Sequence, residues 1–142
     1  MNDIKIPVWF WIIAGIALLW NVMGLIAFWA DMNITPERLA ALTPDQRGLY
    51  ETQPLWAKIV FGGAVITGVL GSLGLLMRQG WAKSVLSLSV AFVLAQMAHG
   101  FLSNAYSIMG SGSLIMAIVI LVFALFLVWF AGLAKLLSLI HI

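Results

Sequence analysis

Cysteine is absent from this 142-residue chain, which excludes disulfides, thiolate metal sites and redox thiol chemistry. Charge is scarce as well. Only 8% of the residues are Asp, Glu, Lys or Arg, against about 25% in an ordinary soluble domain. A net charge of +2, scattered along the chain, assembles no basic face for nucleic acid. The acids all fall outside the apolar runs. Their absence there counts against proton antiport through a membrane carboxylate, on which small four-helix drug exporters depend. Of the two histidines only His99 lies in an apolar run, so no bis-His haem or metal site can form there. Neither paired carboxylates nor a nucleophile with its base occur in the runs, so no enzyme and no cofactor is expected.

What the chain has is apolar length. Hydrophobic residues make up 63% of it and the mean hydropathy is +1.10. Four runs, 8–29, 55–77, 81–103 and 114–133, each hold about 20 or more mostly apolar residues, enough for a helix to cross a hydrocarbon core of roughly 30 Å. The expected fold is all-α: a single four-helix transmembrane bundle, antiparallel and up-down, over residues 1–136. Lys5 is the only basic residue before the first run, which is too long for a signal peptide and has no small-x-small site before Asp31. It reads as the first membrane helix. Trp9, Trp11, Trp81 and Trp129 mark one interface, with Trp29 and Trp56 at the other. Lys5, Arg78, Lys83 and Lys135 fall on the side of the termini, and Arg38, Arg47 and Lys58 on the opposite side. The excess predicts both termini inside.

The first connection, 31–54, reads as a short helical cap at the outer surface. Thr35-Pro36-Glu37 and Thr43-Pro44-Asp45 each place a capping hydroxyl, an N1 proline and an acid at a helix start. Gln46 completes a capping box with Thr43. Leu49 and Tyr50 are placed to rest on the bundle, and the segment serves either as a plain cap or as a substrate lid. Arg78-Gln79-Gly80 is too short to join anything but antiparallel neighbours. Residues 104–113, with Gly110-Ser111-Gly112, read as a flexible turn without the phosphate-loop pattern. No internal repeat supports an inverted-repeat transporter.

Polar residues inside the runs carry what functional signal there is. Gln96, His99 and Ser103 share one face of the third run, Asn104 stands at its outer end, and Ser89 extends the stripe inward. Asn21 comes from the first run, and Thr67 and Ser72 from the second. At 1.5 Å per residue Asn21 and Gln96 reach one depth, with Thr67 and His99 near them. Uncompensated polar groups are costly in hydrocarbon, so the stripe should face the interior or another subunit. Two readings are open: hydrogen bonds that pin helices together, or a small polar pocket in which His99 binds ligand or relays protons. Trp20, also within the first run, is placed to stack on a bound solute. The glycines of the second run allow close backbone approach and make that helix central. The fourth run is nearly devoid of polar groups and suits a lipid-facing wall.

The last six residues, Leu137-Ser138-Leu139-Ile140-His141-Ile142, match the in-frame translation of a transposase adapter used in shotgun sequencing, CTG TCT CTT ATA CAC ATC. The expectation is a reading frame that ran into adapter, which removes residues 137–142 from the functional reading. Sequencing this locus from native DNA checks it; a stop codon directly after the codon for Ile142 would overturn it.

Four short patterns recur together: Trp20-Asn21-x-x-Gly24, Met32-x-x-Thr35-Pro36-Glu37, Leu49-Tyr50-Glu51-x-x-Pro54-Leu55-Trp56 and Phe101-Leu102-Ser103-Asn104-Ala105. In these the chain resembles a family of bacterial inner-membrane proteins of about 140 residues and four helices, whose members go by "sugar transporter" or are grouped with DoxX-like proteins. The resemblance spans nearly all of the chain before residue 137. It implies a bacterial cytoplasmic membrane and a carrier for a small neutral solute such as a sugar. In that role Asn21, Thr67, Gln96, His99 and Asn104 would supply donors and acceptors, with Trp20 stacking. The partners expected are the lipid bilayer and a second copy of the chain. The alternative is an accessory or assembly subunit that docks on a larger membrane complex through its polar face.

Overall fold

An apolar segment that cannot borrow hydrogen bonds from water must satisfy its own backbone amides, and a continuous helix does so within one stretch of chain. The computed structural model describes residues 5–141. In chain order the helices are α1 (Val8–Met32), α2 (Pro36–Ala40), α3 (Pro44–Glu51), α4 (Leu55–Leu76), α5 (Ala82–Leu102), α6 (Ala105–Met109) and α7 (Ser111–Leu136). Among the described residues helix accounts for 82% and no strand occurs. α1, α4, α5 and α7 are long and apolar enough to cross a membrane.

The connections follow local chemistry. Thr35 Oγ1 accepts from Arg38 N (3.2 Å) at the start of α2. Thr43 and Gln46 form a full capping box at the start of α3: Gln46 N donates to Thr43 Oγ1 (3.2 Å) and Thr43 N to Gln46 Oε1 (3.3 Å). Arg47 then ties the two short helices together, donating from Nε to Leu39 O (3.3 Å) and from Nη2 to Leu42 O (3.1 Å). This places a cation on the free carbonyls at the end of α2. At the end of α4, Gln79 N donates to Gly74 O (2.8 Å) and Arg78 N to Leu75 O (3.0 Å), while Arg78 adopts a left-handed φ of 56°. That is a Schellman closure, and it turns the chain within a few residues into α5.

Three boundaries differ from the sequence expectation by three residues each, the last being the end of α7 at Leu136 in place of 133. α1 runs three residues past 29 because nothing before Thr35-Pro36 stops it, and the added residues include Asp31. Residues 104–113 are not a simple flexible turn. Asn104 (φ 58°) and Gly110 (φ 102°) reverse the backbone, and the five residues between them, free of Gly and Pro, wind into α6. α7 accordingly starts at Ser111, three residues ahead of 114.

α4 packs against both α1 and α5, and α5 against α7. α4 is the most buried of the four long helices. The large side chains sit at the end where α4 turns into α5, hereafter the turn end. There Phe10 stacks on Phe130 (centroids 5.7 Å apart), and Leu75, Leu86 and Leu127 complete a core drawn from all four long helices. The opposite end carries α2, α3 and α6 and is called the cap end. Toward it the facing residues are small, among them Gly24, Ala27, Ala64 and Gly68, and space is left between the helices. Outward-pointing side chains such as Ile12, Leu19, Ile59 and Val122 are large, apolar and more than half exposed, the surface a lipid phase tolerates. In a lipid phase, which offers no hydrophobic drive between helices, close fit and hydrogen bonds would have to hold them. Ser89 Oγ donates to Ala64 O across α5 and α4 (3.0 Å), and Asn21 Nδ2 donates to Ser72 Oγ across α1 and α4 (3.1 Å).

After α7 the chain folds back at the turn end through a left-handed Ser138 (φ 59°). Leu139 and Ile140 are buried in the core, and Arg78 Nε donates to Leu139 O (2.6 Å). Apolar residues beside an apolar bundle end pack there whatever their origin, so this seating does not bear on the adapter reading. Ile142 lies outside the described residues.

Candidate functional site

Polar side chains converge at the cap end. α1 brings Asp31, α3 brings Tyr50, α5 brings Gln96 and His99, and α6 brings Tyr106, around a pocket of about 250 Å3. Each arrives for a local reason. Asp31 is on the extra turn of α1. Tyr50 stands on α3, whose position the capping box and the Arg47 clamp determine, and its hydroxyl donates to Asp31 Oδ1 (3.5 Å). Tyr106 lies over Gly100 of α5, where any Cβ would strike its ring. The His99 ring lines the pocket and meets Trp56 edge to face, with centroids 5.1 Å apart, and its nitrogens make no hydrogen bond among the described residues. Among the described residues the side-chain amide of Gln96 makes no hydrogen bond within the protein, although Gln96 is half-buried. A half-buried amide without a partner is a donor and acceptor still to be used.

Gln96 and Phe61 also border a second, larger space of about 390 Å3 that runs between α1 and α7 toward the turn end. Its walls are almost wholly apolar. Trp20 and Phe123 line it in mutual contact (5.1 Å between centroids, 32° between planes), with Val65, Val93, Ile120 and Leu127. Asn21 is on this wall too, with its amide nitrogen engaged, donating to Ala17 O (2.8 Å) and Ser72 Oγ.

The six candidate residues from the sequence therefore divide. Gln96 and His99 share the polar pocket. Asn21 and Gln96 border the same cleft but not at the expected common depth: Asn21 meets Gly68 and Ser72 of α4, whereas Gln96 shares the cap-end pocket with Asp31, a residue about 15 Å farther along α1 at 1.5 Å per residue. Thr67 joins neither space; its hydroxyl donates to its own helix at Gly63 O (2.6 Å). Asn104 is exposed and borders neither space, and its left-handed backbone stands between α5 and α6. Trp20 faces the apolar cleft, where Phe123 already covers part of its ring. Asp31, Tyr50 and Tyr106 are pocket residues that sequence reasoning left among the loops. The one available signal was the polar and aromatic pairing of Asp31 with Tyr50 at the two ends of the same connection. No group of three or more His, Cys, Asp or Glu able to hold a metal occurs among the described residues.

Two consequences are measurable. Because Thr67 bonds only within α4, Thr67→Val should shift stability by no more than about 0.5 kcal/mol, the usual range away from packed or networked sites, and leave ligand binding intact. A melt in detergent read by circular dichroism checks the first part. Burial raises the Tyr50 phenol above its ordinary 10.0, the negative charge of Asp31 raises it further, and Arg38 opposes. Burial alone raises Tyr106. A raised phenol keeps its proton in the fold and loses it first in the unfolded chain. This stabilisation is complete below about pH 10 and is lost as pH rises through the folded values. Melting temperature should therefore fall as pH rises above about 10, and less steeply in Tyr50→Phe. An unchanged slope in that variant would remove Tyr50 from the effect.

In comparisons with known proteins, no family model, no curated protein and no solved structure matches this chain.

Proposed function

We propose that the chain is a multi-pass protein of a bacterial cytoplasmic membrane, one of the small four-helix proteins it resembles in sequence, and that it binds and carries a small neutral solute such as a sugar. The bundle in this reading is antiparallel and up-down, with both termini inside and the cap end outside. Supporting the arrangement, Gly74 meets Ala82, Gly71 meets Leu86 and Ala64 meets Ser89, so α4 and α5 pair in reversed order. The observation that carries the function is the free Gln96 amide, set beside His99, Tyr50 and Asp31 in a pocket of about 250 Å3. Ligand sites commonly begin near 300 Å3, so the occupant is small. Hydroxyl groups suit it, since the lining offers both donors and acceptors. Of the nearby arginines, Arg47 is spent on backbone carbonyls and Arg38 faces the Asp31 carboxylate, so neither is held free for an anionic solute.

Carriage requires more than the pocket. The turn end is filled by Phe10, Phe130 and Leu75, so passage needs that half to open, and an interface between copies of the chain is where this costs least. The accessory-subunit reading has less support, because Gln96 and His99 point into a pocket and not onto an outer docking face.

The test is saccharide binding to the protein in lipid nanodiscs, followed by uptake into proteoliposomes. Saturable binding with uptake is expected. Binding without uptake would retain the site and remove the carrier. Absence of binding across neutral mono- and disaccharides would overturn the proposal. Orientation has a separate test, made clean by the absence of native cysteine. A single Cys at Glu37 should react with an impermeant maleimide on intact cells, and one at Gln79 should not.

A further inference from the structure

The apolar cleft and the polar pocket are contiguous, and we infer that together they hold one amphiphile, with a small neutral hydroxylated head at Gln96 and His99 and a single hydrocarbon chain between α1 and α7. This rests on the solute-binding reading and extends it: the physiological ligand is a lipid-linked or alkyl-bearing hydroxyl compound in place of a free sugar.

Continuity comes first. Gln96 and Phe61 line both spaces, so a ligand whose head meets the Gln96 amide has the cleft directly beneath it. The character of the walls comes second. Beneath Gln96 polar groups on the cleft wall are few: Ser89 and the Asn21 amide nitrogen already have partners, which leaves the Asn21 oxygen, set against Gly68, and the Trp20 indole N–H. A sugar moved into that space would recover little of its lost hydration, whereas a methylene chain has none to recover. Access comes third. Met23 and Met116 are 58% and 52% exposed at the mouth between α1 and α7, on the side where lipid lies. Methionine is unbranched and adapts to chains of varied shape. The cause of the opening is the distribution of side-chain size. Phe10 and Phe130 hold α1 and α7 apart at the turn end, and Gly24 and Ala27 do nothing to fill the gap above them. A space of about 390 Å3 accommodates one chain and is too small for a two-chain lipid body.

The experiment uses the full chain in nanodiscs, with n-octyl β-glucoside well below its micellar concentration, free glucose and n-octanol as probes. Affinities are read by competition against a photoactivatable alkyl glucoside, with adducts mapped by mass spectrometry. Octyl glucoside should compete best, and adducts should concentrate at Met23, Met116 and Ile120. Partition into the bilayer raises the local concentration of any alkyl probe, so the decisive comparison is between proteins. Ala124→Phe, which fills the cleft, should weaken octyl glucoside at least tenfold and bring it toward glucose. Met116→Trp at the exposed mouth should act in the same direction without touching the core, which keeps the test valid if Ala124→Phe fails to fold. An unchanged octyl glucoside affinity in both variants would overturn the joint site while leaving a sugar pocket standing. Octanol competing as well as octyl glucoside would overturn the head site and the solute reading with it. Adducts spread evenly over Ile12, Leu19 and Ile115 would mean annular lipid only and would also overturn the inference.

Discussion

Gly68→Ala should lower the stability of the bundle by about 1–3 kcal/mol, the usual cost of overpacking, and Asn21→Ala should remove most of that penalty. A methyl group on Gly68 would overlap the Asn21 amide oxygen. That amide cannot swing aside freely, because Nδ2 is held by Ala17 O at 2.8 Å and by Ser72 Oγ at 3.1 Å. Ser72 is fully buried and in turn donates to Gly68 O (2.8 Å). α1 and α4 therefore meet at a point where no Cβ fits and where one hydrogen bond, from Asn21 Nδ2 to Ser72 Oγ, sets the rotation of one helix against the other. Each interhelical bond in a membrane contributes only about 0.6 kcal/mol, so Asn21→Ala alone should be mild. The double variant should then be more stable than the sum of the single changes predicts. Thermal melts of the four proteins in one detergent provide the cycle. Additivity within about 0.5 kcal/mol would mean that the two residues do not meet as described.

Gln96→Leu should do the reverse: leave the melting temperature near that of the parent, yet weaken saccharide binding about tenfold, which is about 1.4 kcal/mol. The Gln96 amide bonds to nothing in the protein among the described residues, so removing it breaks no internal contact. Leucine is similar in length, and it adjoins a cleft that is already apolar. What disappears is a donor and an acceptor offered to the ligand, and a buried solute hydroxyl left unpaired carries a cost of this order. His99→Phe is the companion change. It preserves the edge-to-face contact with Trp56 while removing both ring nitrogens, and a comparable loss is expected. Asn104→Gly and Thr67→Val are the contrasting pair. The first keeps the left-handed backbone that Asn104 supplies, the second keeps the bulk of Thr67, and neither should alter affinity. Isothermal titration on nanodisc-embedded protein separates the two groups. If all four variants bind alike, the polar pocket is not the site.

The class of the protein could be read from the chain alone, because the length of an apolar run is a one-dimensional property. Four runs of membrane-spanning length predict four long helices, and four stand in the fold. The start of α3 was equally local: Thr43, Pro44 and Gln46 make a capping box within one turn, so its geometry depends on no distant contact. The stripe of Gln96 and His99 was visible for the same reason, since helical periodicity alone places them on one face.

Sequence could not reveal what the stripe faces. Asn21 does not share the depth of Gln96, because the slide of one helix along another is set by contacts such as Asn21 against Gly68, and the same contact turns Asn21 toward Ser72. Asp31 joined the site only because α1 continues past its apolar run, and Tyr50 and Tyr106 because short helices fold back over α5. The division into a packed turn end and an open cap end is likewise tertiary. Phe10 on α1 and Phe130 on α7 are far apart in the chain, and only their stacking shows which half of the bundle is filled. The sequence by itself determined the helices and their caps, through local hydrogen bonds and apolar length. The tertiary structure decided the pocket, because a cavity depends on where side chains from four helices fail to meet.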